Sequence, residues 1–349
     1  MQRMPTDAPP SPPRPPPPTA PARATRALVC HHLSEDLSGL AQAHWALPAV
    51  GAQEARVRVQ AAALNFPDLL MTRGGYQFKP ALPYVPGMEG AGVVVEAGAA
   101  SGWSPGDRVA FAAKTGALAD EVVLPGSALN PLPDELPADI AAAAWVTGLT
   151  AWVSLARIGR LQRGETLLVH GARGGVGQAC VQLGLHLGAR VMATATRPAL
   201  IADLAAQGVT VLPADDFRDA VLAATAGRGA DLIADPVGGA VFEQSQRCIA
   251  FGGRVLVLGF ASGQHPTLAM NRLLIKGYSV VGVRAGEYGR HFPDHGREHR
   301  TAVRRLIDTG VIRPLIGARF PLARAVDAFH ALAGRQVPGK IVVTMDDAG

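Results

Sequence analysis

The sequence predicts an α/β protein in which a small β-barrel-like domain is split around a doubly wound parallel-sheet domain. Three observations carry this expectation. Between Arg26 and about Asn130 the chain consists of short apolar runs, over residues 55–63, 90–97 and 108–112, separated by Gly, Pro and Asp turns. From Glu165 onward strand-like and helix-like segments alternate, a pattern that means parallel strands joined by right-handed crossovers. From about Val311 short apolar segments return and finish in a strand over 340–345, so the chain is expected to re-enter its first domain.

A length of 349 residues exceeds that of one ordinary domain. The expected division is a tail over 1–24, the first part of the barrel-like domain over 25–147, the parallel-sheet domain over 148–290, and a helix with the return segment over 291–349. Hydrophobic residues make up 48% and charged residues 17%, a balance that buries a core and does not describe a disordered chain. No uninterrupted apolar run reaches about 18 residues, so no membrane span is expected. The net charge is +5, but the arginines are scattered singly among acidic residues, which argues against a nucleic-acid footprint. Cys30, Cys180 and Cys248 lie far apart with no CxxC pair, which fits reduced thiols in a cytoplasmic protein. The first 24 residues hold ten of the 28 prolines and no apolar periodicity. They are expected to be disordered or polyproline-like, and they lack the apolar stretch of a signal peptide.

Residues 166–170 form an apolar run suited to a buried central strand. Gly171-Ala172-Arg173-Gly174-Gly175-Val176-Gly177 follows at once, then a helical stretch to about Leu187. Glycines at these positions permit a tight turn, let backbone amides approach a pyrophosphate, and bring the helix close to the strand. The helix N-terminus adds unpaired N–H donors and the positive end of the dipole. A glycine cluster alone is weak evidence; here strand, glycines and helix stand in the required order, and a second strand over 190–195 follows the crossover. A carboxylate at the end of that second strand would hydrogen-bond a ribose 2′-hydroxyl and repel a 2′-phosphate. The chain instead reads Thr194-Ala195-Thr196-Arg197, and the first acid is Asp203. Hydroxyls and a guanidinium suit phosphate, so NADPH is expected over NADH, with Arg197 as a solvated helix-entry residue the bland alternative.

These features, together with Leu64-Asn65-Phe66-Pro67-Asp68, residues 86–92 (Pro-Gly-Met-Glu-Gly-Ala-Gly), Asp235-Pro236-Val237-Gly238-Gly239, residues 259–263 and Pro338-Gly339-Lys340, resemble the quinone oxidoreductase and enoyl reductase branch of the medium-chain dehydrogenase/reductase superfamily. The resemblance covers nearly everything from Arg26 to Met345. It implies a GroES-like catalytic domain split around a Rossmann domain. It also bears on metal: where zinc-dependent relatives place their ligands, this chain has Asn65, Met88 and approximately Val146, which do not make the three-ligand set that catalytic zinc needs. No metal is expected. His291, His295 and His299 have helical spacing near Asp294 and Glu298, but Pro293 and Gly296 are expected to interrupt a helix there and leave a polar loop.

Without a metal, hydride transfer from NADPH to a quinone, an enone or another activated alkene leaves charge on an oxygen. Backbone amides and neutral side-chain donors must stabilise it. The resemblance places Asn65 near the nicotinamide ribose. Tyr76, eleven residues later, has a spacing similar to that of the proton-donor tyrosine of mitochondrial-type enoyl thioester reductases, and a neutral phenol can donate to a developing enolate. Its other reading is packing in the domain cleft. Leu70 stands where many quinone oxidoreductases have a tyrosine. The resemblance further implies cofactor contacts from Thr150, Phe260, Ala261, Val283, Arg284 and Lys340, beside the phosphate turn Gly171 to Gly177 with Arg173, and Thr196 with Arg197. A lysine and a tyrosine usual in the family near the 2′-phosphate are missing at 199–200 and 214. Asp68 and Glu89 are expected to hold structure through hydrogen bonds.

The rival enzyme is a 2-enoyl thioester reductase acting on acyl-CoA or acyl-carrier substrates, for which Arg73, Lys79, Arg284 and Arg290 could form a basic cleft mouth. The rival outside enzymology is a catalytically idle NADPH-binding protein. The apolar strand over 278–283 would be a liability as a bare sheet edge, and the resemblance implies a homodimer through it.

Overall fold

The computed structural model describes residues 23–195 and 198–345. Most of the Pro-rich tail, and the pair Thr196 and Arg197, lie outside the described residues. Ala24–Cys30 pairs antiparallel with Leu40–Ala46. A seven-stranded sheet follows in the order Ile316–Pro321, Lys340–Thr344, Glu54–Ala63, Glu89–Ala97, Arg108–Ala112, Leu129–Pro131, with Glu121–Pro125 also paired to Glu54–Ala63. The last strand of the chain therefore lies beside one of the first, which returns the C-terminal segment to the barrel-like domain.

In Glu54–Ala63 the side chains alternate as a half-buried strand requires: Ala55, Val57 and Val59 enter the core while Arg58 and Gln60 face out. The alternation ends at Ala61, Ala62 and Ala63, all buried, because the strand there also packs against helix Ala138–Trp152. Only small side chains fit between the two layers. That helix buries Ala141 to Trp145 and continues as a π turn over Val153–Ile158. By length and composition Ala138–Ile158 could cross a membrane. It is instead the central helix, packed on strands of the barrel-like sheet and on helices Gly175–His186 and Pro293–Asp308.

The second sheet is wholly parallel, in the order Thr210–Leu212, Arg190–Thr194, Thr166–Val169, Ala230–Asp235, Ile249–Val257, Ser279–Gly282. Its faces bury separate cores: Leu167 and Val169 enter one, Leu168 the other. The order reverses between Thr166–Val169 and Ala230–Asp235, and this reversal opens a crevice at the strands' carboxyl ends where ligands bind in doubly wound sheets.

One expectation fails. Pro293 and Gly296 do not leave a loop across the histidines. Pro293 opens the helix Pro293–Asp308, and Gly296 lies in its first turn. At the first helical position proline lacks only an N–H that would go unpaired there. Glycine at 296 lets the helix meet Ala285–His291, since a Cβ would come 2.8 Å from the Gly289 carbonyl oxygen. His295 and His299 pack with Tyr288, and an Arg157 guanidinium nitrogen lies 2.7 Å from His295 Nε2. Among the described residues no group of three His, Cys, Asp or Glu side chains could hold a metal ion.

Candidate active site in the interdomain crevice

A cavity of about 350 Å³ occupies the crevice. Strand Glu54–Ala63 leads into Leu64, Asn65 and Phe66 on one wall, helix Ala138–Trp152 contributes Thr147, and the phosphate turn contributes Gly171 and Arg173 to Gly177. Pro236, Val237 and Ala261 come from the loops after the fourth and fifth Rossmann strands, and the rest of the wall comes from the return segment 331–341. Both domains thus build it, and no acidic side chain lines it among the described residues.

The turn is shaped by close approach. A Cβ on Gly177 would stand 2.2 Å from the Gly171 carbonyl oxygen, so no other residue allows the helix to start against the strand end. The twelve-residue helix Gly175–His186 directs its first, unpaired N–H groups to this end. The return segment is tied to the turn: the Gly339 N–H donates to the Arg173 carbonyl at 2.8 Å, and the Arg173 guanidinium donates to the Arg335 carbonyl. Turn, dipole and the guanidiniums of Arg173 and Arg335, which line the same cavity, fit a dinucleotide pyrophosphate.

Beneath the cavity lies a buried polar cluster. Asn65 caps helix Phe66–Thr72, and its N–H donates to Asp68 Oδ2 at 2.8 Å. The Gly87 N–H donates to Asp68 Oδ1. Asn65 Nδ2 donates to Glu89 Oε1 at 2.9 Å, and the Lys340 ammonium donates to Leu64 O, Asn65 Oδ1 and Glu89 Oε1. Asp68 and Glu89 are wholly buried and Lys340 is 4% exposed. Burial pushes the Asp68 carboxyl up to about 7, against the lowering effect of the Asn65 N–H and the Lys340 charge. Zinc does not fit this donor set: the amide is held at both ends, the one nearby carboxylate pair is taken by backbone N–H groups and an ammonium, and Met88 and Val146 add no ligand.

The remaining predicted residues divide. Gly171, Arg173, Gly174, Gly175, Val176, Gly177, Ala261, Asn65 and Lys340 line the cavity. Ala172 is buried beneath the turn. Thr150 does not line it; its hydroxyl donates to the Val146 carbonyl at 2.7 Å, and Thr147, one turn earlier, faces the cavity instead. Phe260 packs edge-on against His265, Val283 is buried in the Rossmann core, and Arg284 is exposed near Glu287. Tyr76 is half-buried against the core of the barrel-like domain and is not among the cavity residues. A second cavity of about 430 Å³, bordered by Ala195, Val211, Leu212, Pro213, Ala214 and Asp215, lies beside the end of the second Rossmann strand.

Sequence reading missed Arg335, Thr147 and the Glu89–Lys340 pair. Arg335 lines the cavity from the return segment, with its guanidinium over the Phe66 ring at 5.8 Å. No local pattern announces it, because the chain distance from the turn exceeds 150 residues. His170, at the strand end, is buried between Thr194 Oγ1 and Ser245 Oγ, and burial lowers its pKa to about 3.

Comparison with known proteins places these features in a family. Residues 51–134 match the family described as alcohol dehydrogenase GroES-like domain, and 175–298 match the one described as zinc-binding dehydrogenase. The quinone oxidoreductase-like protein 2 homolog of Nematostella vectensis is 35% identical, covering 92% of this chain and 89% of its own. A probable oxidoreductase from Mycobacterium abscessus superposes with a TM-score of 0.82 at 36% identity over 93% of this chain and 99% of its own. A mycobacterial protein solved in complex with NADPH superposes with a TM-score of 0.83 at 28% identity, over 92% of this chain and 99% of its own.

Proposed function

The chain belongs to the medium-chain dehydrogenase/reductase superfamily, in its quinone oxidoreductase-like and enoyl reductase branch, and from that premise we propose that it is a zinc-independent, NADPH-dependent reductase of quinones or other activated alkenes. The observation that carries the reading is the crevice cavity, where the glycine turn, two arginines and the Asn65 amide meet across a wall that is apolar apart from Thr147 and Lys340 and has no carboxylate among its described residues. NADPH, when bound, supplies the hydride.

The protein's own residues perform the rest. The turn amides, Arg173 and Arg335 hold the phosphates. Leu64, Phe66, Val237, Leu332, Val337 and Ile341 give the acceptor an apolar surround that keeps water out. Asn65 offers an N–H where oxygen charge develops or where the ribose lies. Thr196 and Arg197, with Arg173, are the proposed 2′-phosphate contacts, and the second cavity is the proposed adenine seat. Thr150, Phe260, Val283 and Arg284 remain proposed borders of the nicotinamide. Tyr76 is the proposed donor only in the enoyl thioester version of the reaction. The three cysteines are free and buried, in keeping with a cytoplasmic enzyme.

The test is NADPH oxidation against a panel of quinones and a panel of 2-enoyl-CoA esters, with the parent and Tyr76→Phe. Quinone turnover unaffected by the substitution is the expected result. Thioester turnover that drops about 100-fold in Tyr76→Phe would assign the enoyl reductase reaction instead. Tight NADPH binding with neither panel turned over would identify an idle cofactor-binding protein, and equal affinity for NADH would remove the 2′-phosphate assignment.

A further inference from the structure

The buried charges under the cavity give Lys340 a role that neither its cavity position nor the family resemblance supplies. Its ammonium donates to Leu64 O at 2.7 Å, Asn65 Oδ1 at 2.7 Å and Glu89 Oε1 at 2.9 Å. An ammonium carries three protons, so all are engaged within the protein and none is left for a ligand. The same bonds decide which way round the Asn65 amide stands. Lysine has no acceptor and an ionised glutamate no donor, so Oδ1 faces Lys340 and Nδ2 faces Glu89. Turning the amide over would set an N–H against the ammonium and an oxygen against the carboxylate. Glu89 cannot swing to follow, because its other oxygen accepts the Val146 N–H at 2.8 Å.

One Asn65 amide hydrogen is therefore committed to Glu89. The other, with Nδ2 3.4 Å from the Ala63 carbonyl oxygen, is weakly held on a side chain that lines the cavity. The lysine stem completes the link to the phosphate turn: a Cβ added at Gly175 would lie 2.7 Å from Lys340 Cδ. The turn rests on the stem whose head holds Asn65.

We propose that Lys340 is a positioning residue and not a cofactor ligand: its ammonium fixes the Asn65 amide so that one N–H is presented to the cavity. This assignment rests on the reading of the cavity as the NADPH site.

The chain has three asparagines, Asn65, Asn130 and Asn271, so protein labelled with ¹⁵N-asparagine reports the Asn65 side-chain amide directly. In the parent its N–H pair should exchange with solvent more slowly than that of exposed Asn271. Comparable rates overturn the proposal without any variant. The variant is Glu89→Gln/Lys340→Met, which removes both buried charges together and leaves neither unpaired; the single glutamine oxygen can accept from Asn65 Nδ2 or from the Val146 N–H but not from both. The double variant should fold with a lowered Tm, because the Leu64 and Asn65 oxygens lose the Lys340 donor, and should bind NADPH within about threefold of the parent. Its Asn65 pair should exchange faster, and its kcat should fall about 10- to 100-fold. A folded double variant with parental kcat and a protected Asn65 pair overturns the proposal, as does one that loses NADPH affinity but keeps kcat. If the parent turns over no acceptor while the Asn65 signals behave as expected, the proposed reaction fails and the assignment of Lys340 stands.

Discussion

Arg335 holds a left-handed backbone conformation, φ +52°, which for a residue with a Cβ costs of order 1 kcal/mol. The Arg173 guanidinium on its carbonyl and the stacking of its own guanidinium over Phe66 offset that cost. A side chain held this way at a cavity mouth is suited to a phosphate, so Arg335→Ala should weaken NADPH binding about tenfold, with a shallower dependence on salt; fluorescence titration checks this, and unchanged affinity would remove Arg335 from the phosphate site. His170 makes the opposite case, a titratable group kept from charging. Its folded pKa of about 3 lies below the ordinary 6.5, so the protonated form is taken up preferentially by the unfolded chain, and the contribution of His170 to stability is complete above about 6.5 and declines as pH falls toward 3. Imidazole resonances of His170 should still report the neutral ring at pH 5, and an imidazolium there would contradict its burial.

The elements are pinned where loops meet strand ends. Arg254, on strand Ile249–Val257, grips Glu165 with two bonds of 2.7 and 2.8 Å and the Gly159 carbonyl with two more. It thereby fastens the π turn and the entry to Thr166–Val169 onto a strand two places along the sheet. The Arg254 hydrogen bonds hold the Glu165 carboxyl below its ordinary range. That depressed pKa means the pair stabilises the fold above about 4.5 and loses its effect as pH falls below it. Arg254→Met should lower Tm at pH 7 by roughly 2–4 °C, the equivalent of about 1 kcal/mol for partly exposed partners, with the difference from the parent shrinking in acid; a constant difference would show that packing and not charge is responsible. The phosphate turn was legible from sequence because its requirement is local: Gly177 has to clear an oxygen six residues earlier. The helix Pro293–Asp308 was not, because Pro293 reads as a breaker until its place at the first helical position is known, and Gly296 until its neighbour Gly289 is.

At the scale of the whole molecule, Ser279–Gly282 is an edge of the Rossmann sheet, with no further strand beside it among the described residues. Beside it stand Phe251, Met270, Leu274 and Ile275, between 71% and 86% exposed. Apolar side chains this exposed next to unpaired backbone are a surface for association, and a homodimer across this edge is the proposed assembly. Light scattering should give twice the chain mass for the parent and the chain mass for Leu274→Glu; a monomeric parent would remove the dimer.

By itself the sequence determined the fold class, the split of the barrel-like domain, and the phosphate turn, because each rests on periodicities and backbone requirements within a few dozen residues. It named Asn65 and Lys340 without the relation between them. Only the tertiary structure decided that Lys340, 275 residues beyond Asn65, directs its charge to that amide and to Glu89, that Thr147 faces the crevice while Thr150 turns back on its own helix, and that Tyr76 packs against the barrel core. Such pairings depend on how the return strand slots beside Glu54–Ala63, and no local pattern encodes which distant side chain a buried charge will meet.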